Sequence, residues 1–159
     1  MPRFETALHF PDAEATAAFG RRLASLLAPG DVVLLSGPIG AGKSHLARAC
    51  IAARLEVEGR VEDIPSPTFT LVQVYEVAGC EIWHADLYRL THSDELVELG
   101  LEDAFASAIC LIEWPDRLGD LAPAGALSIA LSAAPDDSRT ARLSSDDPRW
   151  AARLDGGTP

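Results

Sequence analysis

The sequence turns on one stretch, Asp31-Val32-Val33-Leu34-Leu35-Ser36-Gly37-Pro38-Ile39-Gly40-Ala41-Gly42-Lys43-Ser44. Its first five residues form a short apolar, β-branched run without polar alternation, the pattern of a strand covered on both faces. Glycines at 37, 40 and 42 then interrupt any regular structure. From Lys43 to about Arg54 the pattern becomes helical, with Leu46, Ala47, Cys50, Ile51 and Ala53 available for packing. The order is strand, glycine loop, helix.

Residues 37–44 fit G-x-x-x-x-G-K-[ST] in the context that motif requires, between a buried strand and a helix start. The backbone of Gly37, Gly40, Ala41 and Gly42 can turn its N–H groups toward a phosphate, and the helix dipole adds favourable charge there. Lys43 would reach the β- and γ-phosphates and the Ser44 hydroxyl would ligate magnesium. Among thirteen basic residues Lys43 is the only lysine, so an arginine-using sequence keeps the compact ammonium at this one position. With no second lysine, the Asn-Lys-x-Asp base-reading motif of guanine-specific P-loop proteins is excluded, and ATP is preferred over GTP.

Outward from the loop, residues 11–27 carry Ala15, Phe19, Leu23, Leu26 and Leu27 at helical spacing, with Asp12 placed to cap and Glu14 in the first turn. Ala28-Pro29-Gly30 ends that helix. Downstream, Ile64-Pro65-Ser66-Pro67 must be a loop, because each proline restrains itself and its predecessor. Residues 69–77 and 81–84 predict two strands joined by a turn at Ala78-Gly79, an antiparallel hairpin. Ser93 is placed to cap a short helix over 94–99, ended by Gly100. Residues 108–112 form another buried strand running into Glu113-Trp114-Pro115, and 126–131 and 140–143 predict later strands. Residues 145–159, polar and containing proline and glycine, are expected to be a flexible tail on a domain spanning 1–144.

Glu113, at a strand end, is placed to contact magnesium or to orient an attacking water, or else is a surface carboxylate beside a turn. Ser66-Pro67-Thr68-Phe69 puts a hydroxyl pair where switch loops sense a γ-phosphate, and reads equally well as a plain proline turn. In His84-Ala85-Asp86-Leu87-Tyr88-Arg89, Asp86 is the candidate for a catalytic carboxylate near magnesium; His84 reads as structural and Arg89 as a salt-bridge partner. Trp83 and Trp114 read as packing residues. Arg139 is within reach of phosphate, base or solvent.

Composition bounds the remaining possibilities. With 48% hydrophobic and 23% charged residues the chain is an ordinary globular one, able to fold alone. A net charge of -11 argues against a broad nucleic-acid face, so any role in RNA chemistry would be indirect. Cys50, Cys80 and Cys110 are too few and too separated for a zinc knuckle or disulfide framework and are expected as buried thiols. The start of the chain lacks the pattern of a signal peptide and no window approaches the roughly 18 apolar residues of a membrane span, which points to a cytoplasmic protein without membrane contact.

Together these pieces resemble the TsaE family, also called YjeE, small bacterial P-loop ATPases of tRNA threonylcarbamoyladenosine biosynthesis. The resemblance spans about residues 12–143. It rests on the acid-capped first helix, residues 37–44, Ser66-Pro67-Thr68-Phe69, His84-Ala85-Asp86-Leu87-Tyr88-Arg89 and Ile112-Glu113-Trp114-Pro115, in that order. It implies an ATPase acting with the TsaB and TsaD proteins, which transfer the threonylcarbamoyl group to an adenosine in the tRNA anticodon loop, while the ATP cycle supports turnover or reset of their complex. Ser44 and Glu113 then match magnesium-site residues, Lys43 the phosphate lysine, Thr68 the switch threonine and Asp86 an active-site carboxylate. One departure is that Ser44-His45 stands where the family usually has two threonines. Serine keeps the hydroxyl, whereas His45 as a phosphate contact would bring a bulkier, titratable ring.

The expectation is a single α/β P-loop NTPase domain, a mainly parallel sheet with flanking helices and an antiparallel hairpin after the P-loop helix. ATP and Mg2+ are its cofactors, hydrolysis is slow or partner-stimulated, and tRNA is met only indirectly. Two competitors share the P-loop. A small nucleotide or metabolite kinase would need an acceptor site and an arginine-bearing lid, for which there is no obvious insertion. A non-hydrolysing module would use ATP only to hold a docking-competent conformation.

Overall fold

The computed structural model describes residues 3–92 and 94–156. Among these residues seven strands form one sheet: β1 (Phe4–Phe10), β2 (Val32–Ser36), β3 (Val72–Val77), β4 (Cys80–Asp86), β5 (Ile109–Glu113), β6 (Leu127–Ala133) and β7 (Arg139–Ser145). They lie in the order β1-β7-β6-β2-β5-β4-β3. The four central strands, β6, β2, β5 and β4, run parallel, while β3 at one edge and β7 and β1 at the other are antiparallel to their neighbours. Among the described residues five helices accompany the sheet: α1 (Ala13–Leu26), α2 (Lys43–Val57), α3 (Asp94–Leu99), α4 (Leu101–Ser107) and α5 (Arg149–Gly156), with 3-10 turns over Pro115–Leu121.

The unbroken apolar runs of β2 and β5 are the central strands because only there are both faces covered; all five residues of β5 are buried. Side chains alternate between two cores. Val33, Leu35, Ile82, Ile109, Leu111, Leu127 and Ile129 pack under α1 and α2, while Val32, Leu34, Ala85, Cys110 and Ile112 pack with the α3–α4 side. The first core requires α1 and α2 to approach closely. A Cβ on Gly20 would lie 2.8 Å from the carbonyl oxygen of Leu46, so glycine is the residue that fits this crossing. Asp12 caps α1 as its position predicts, its Oδ1 accepting from the Ala15 N–H at 2.8 Å.

The hairpin after α2 forms as β3 and β4, but its first strand starts later than expected. Leu71 takes φ 68° and its N–H donates to the Pro67 carbonyl at 2.8 Å, so residues 67–71 close a turn instead of extending β3. The predicted cap at Ser93 lies outside the described residues. Strand β1 and helix α4 have no counterpart in the sequence reading.

The largest correction concerns the C-terminal segment. Ser145 ends β7 in register with Phe4, and residues 149–156 form α5, which places Trp150 (2% exposed) and Leu154 in the α1–α2 core. The Trp150 indole N–H donates to the Gly125 carbonyl at 2.9 Å. Arg153 lies over the Trp150 ring, 4.1 Å from its centroid, and pairs with Asp31 at 2.5 Å. A segment read as a tail because of its prolines and glycines is therefore tied to the start of β2 up to Leu154; residues 157–159 lie outside the described residues.

Two expected outcomes follow. Trp150→Ala should cost about 3–5 kcal/mol, as for other buried aromatic truncations, measured by urea unfolding; a change under 0.5 kcal/mol, the scale of surface substitutions, would return residues 149–154 to the status of a tail. The thiols should also divide. Burial pushes Cys50 and Cys110 each up to about 12, leaving on the order of 10⁻⁴ of either as thiolate at pH 8, whereas Cys80 is half-buried. Titration of the native protein with a disulfide reagent should consume one thiol quickly, lost in Cys80→Ser, and all three only on unfolding.

Candidate functional site

The glycine loop follows β2 and leads into α2 at the C-terminal rim of the parallel strands, the end of the sheet where α/β proteins place ligands. Gly37 has φ 137°, and a Cβ there would stand 2.3 Å from the Leu131 carbonyl oxygen, so the loop can enter against β6 only as glycine. Gly42 takes φ 105° as the residue preceding α2, and no side chain caps that helix. Its first amide groups therefore face the loop without a side-chain acceptor, the arrangement that suits an anion. Ala41 is fully buried and supports the loop from beneath.

Strand register brings the carboxylates to the same place. Leu35 of β2 is level with Glu113 of β5, and Glu113 with Asp86 of β4. Because side chains alternate, Ile82-His84-Asp86 and Ile109-Leu111-Glu113 are adjacent rows on the α2 face, apolar toward the centre and polar at the rim. Glu113 is 2% exposed. The Ser44 hydroxyl donates to it, lying 2.8 Å from Oε1 and 2.9 Å from Oε2. On its other side His84, with no exposed surface, sets Nε2 at 2.7 Å from Glu113 Oε2. Among the described residues His84 Nδ1 has no hydrogen-bond partner.

Lys43 is buried, and its ammonium donates to the carbonyls of Gly37 at 2.5 Å and Pro38 at 3.1 Å. Burial holds its pKa below the ordinary lysine value of 10.5, opposed by the charges of Glu113 and Asp86. The same ammonium sits over the Trp114 ring, 4.2 Å from the centroid. Trp114 can turn back over the loop because its backbone is left-handed, φ 58°, in a region that costs a bulky residue on the order of 1–3 kcal/mol. Tyr88 packs against it with ring centroids 4.8 Å apart.

Asp86 is buried at the end of β4; one oxygen accepts from the Tyr88 N–H at 3.0 Å and the other faces the Thr68 hydroxyl at 3.5 Å. Ser66 and Thr68 hydroxyls are 2.9 Å apart, so the pair read from sequence is a real contact on the loop that enters β3. Arg89 lies over the Phe69 ring at 4.5 Å, in place of the salt bridge expected of it. Across the loop, Arg139 donates to the Gly40 carbonyl at 3.2 Å. The exposed His45 ring is engaged with the Ala13 carbonyl at 3.0 Å, linking α2 to the start of α1.

Lys43, Ser44, Thr68, Asp86, Glu113 and Arg139 converge in one cleft of about 900 Å³, with His45, Tyr88, Arg89 and Trp114 also on its wall; Ser66, Phe69 and His84 do not line it. Among the described residues no group of three His, Cys, Asp or Glu side chains is arranged to hold a metal ion. The Ser44–Glu113 pair instead offers adjacent hard oxygen donors, which suit magnesium when most of its ligands are phosphate oxygens and water. Sequence reasoning missed Trp114 and Tyr88 as walls of the site and took His84 as structural. The signal for Trp114 was its position between a strand-end glutamate and a proline.

A family model for "Threonylcarbamoyl adenosine biosynthesis protein TsaE" matches residues 10–141. A protein named tRNA threonylcarbamoyladenosine biosynthesis protein TsaE from Rickettsia bellii is 36% identical over 133 residues, covering 84% of this chain and 90% of its own. The Bacillus subtilis protein of that name is 34% identical over 127 residues, covering 79% and 77%. The crystal structure of Bacillus subtilis YdiB superimposes with a TM-score of 0.75, covering 97% of this chain and 94% of that one at 24% identity, so the two share a fold.

The loop geometry makes a graded prediction. Gly37→Ala adds an overlap with backbone to an unfavourable φ and should cost about 2–5 kcal/mol in urea unfolding. Gly40→Ala, at φ 84° with open space around the added carbon, should cost only about 1–2 kcal/mol. Equal costs would show that the contact with Leu131 does not shape the loop.

Proposed function

The chain belongs to the TsaE family, and from that premise we propose that it binds ATP with magnesium in the cleft over residues 37–44 and hydrolyses it in support of tRNA threonylcarbamoyladenosine synthesis. The observation that carries this reading is the meeting of Ser44 with Glu113 at 2.8 Å directly beside the buried Lys43. Lys43 and the first amides of α2 bind and orient the β- and γ-phosphates, and Lys43 offsets charge that builds on them during transfer. Ser44 and Glu113 would hold the magnesium, which would supply Lewis-acid stabilisation of the phosphate charge. Asp86, with Thr68 beside it, is placed to hold the attacking water in line.

The strongly acidic chain suits a subunit that meets tRNA only through partners, and the partners proposed are TsaB and TsaD, in the cytoplasm. Slow hydrolysis is expected of the free protein: Thr68 stands 3.5 Å from Asp86, a long contact that a docked partner would shorten by ordering its loop.

Steady-state MgATP hydrolysis, measured alone and with TsaB and TsaD, tests the reading. Partner stimulation is expected, with Lys43→Ala weakening ATP binding at least tenfold, about 1.4 kcal/mol, and Glu113→Gln lowering turnover about 10²-fold or more. Full turnover in Glu113→Gln, or no ATP binding by the wild type, would overturn it.

A further inference from the structure

We infer that His84 is a positioning residue for Glu113, holding the carboxylate in the one orientation that meets Ser44; this rests on the nucleotide reading given above. The argument begins with the row in which His84 stands. Ile82 and Leu111 surround it, the α2 core lies over it, and its side chain is wholly buried. An apolar residue would satisfy that environment without leaving a ring nitrogen unpaired.

What His84 provides instead is a single directed bond. A glutamate carboxylate accepts and does not donate, so the proton in the 2.7 Å contact is on Nε2, and a proton on Nδ1 would be buried without an acceptor. The ring is therefore one tautomer with one polar partner. Glu113 Oε2 is held between that N–H and the Ser44 hydroxyl 2.9 Å away, and the carboxylate plane cannot rotate without breaking one bond or the other. Packing fixes the imidazole; the imidazole fixes the carboxylate. Second-layer donors of this kind commonly orient the acids and ligands of reaction centres.

His84 does not line the cleft, so it is not a group that touches the nucleotide. Its removal should leave ATP affinity within about twofold while lowering turnover at least tenfold in His84→Leu. His84→Gln keeps an N–H donor at nearly the Nε2 position and should restore turnover to within about threefold of wild type. An independent readout needs no activity. Nitrogen-15 NMR of the wild-type ring should show the Nε2–H tautomer, with a ring proton that exchanges slowly and shifts in Glu113→Gln.

Turnover in His84→Leu equal to wild type, a Gln variant no better than Leu, or an Nδ1–H ring would each overturn the inference while leaving the nucleotide reading intact. Wild-type protein that fails to bind ATP would instead remove the nucleotide reading and this role together, and the binding measurement tells the two failures apart. Should His84→Leu not fold, the Gln variant and the NMR tautomer still decide.

Discussion

Parallel pairing of β2 with β5 is the constraint from which the rest of the structure follows. It sets Leu35 level with Glu113, so the strand that delivers the glycine loop and the strand that delivers the carboxylate end at the same height. Pairing of β5 with β4 then adds Asp86 at that height. A shift of one residue in either register would turn Glu113 or Asp86 to the opposite face, away from α2 and Ser44. The polar rim is thus a consequence of apolar packing further down the same strands, where Val33, Leu111 and Ile82 can reach the α2 core in only one register.

Polar groups are placed where they are costly. Lys43, His84, Asp86 and Glu113 are all buried: Lys43 meets loop carbonyls, His84 and Glu113 meet each other, and Asp86 accepts from the Tyr88 N–H and the Thr68 hydroxyl. Trp114 adds a backbone conformation that bulky residues rarely adopt. Such features persist because the surrounding framework over-determines them: the two layered cores, the Gly20 crossing of α1 and α2, and α5 clamped to Asp31 supply the rigidity. The site is held by apolar packing that lies mostly outside it.

What was legible in the sequence was whatever is contiguous. The loop over residues 37–44, its flanking strand and helix, the β3–β4 hairpin and the carboxylate that ends β5 all announce themselves within a few residues. Strand β1 did not, because it is exposed along most of its length and its stability comes from β7, at the far end of the chain. Helix α5 carried a usable signal, Trp150 and Leu154 one turn apart, which the neighbouring Pro148 and Gly156 outweighed. The left-handed turns at Leu71 and Trp114 were unreadable, since neither residue type favours positive φ. The bond from His84 to Glu113 links positions 29 apart and exists only through the β4–β5 register.

The pairing of Phe4 with Ser145 has a bearing on how the molecule is made. Among the described strands β1 is an edge that pairs with β7 across most of the chain, and closing so long a loop is among the slowest steps in assembling a sheet. Strands β2, β5 and β4, with the helices between them, can associate before that closure. The glycine loop and its carboxylates would then come together on a nascent sheet still open at one side, and β1 would dock as a late seal.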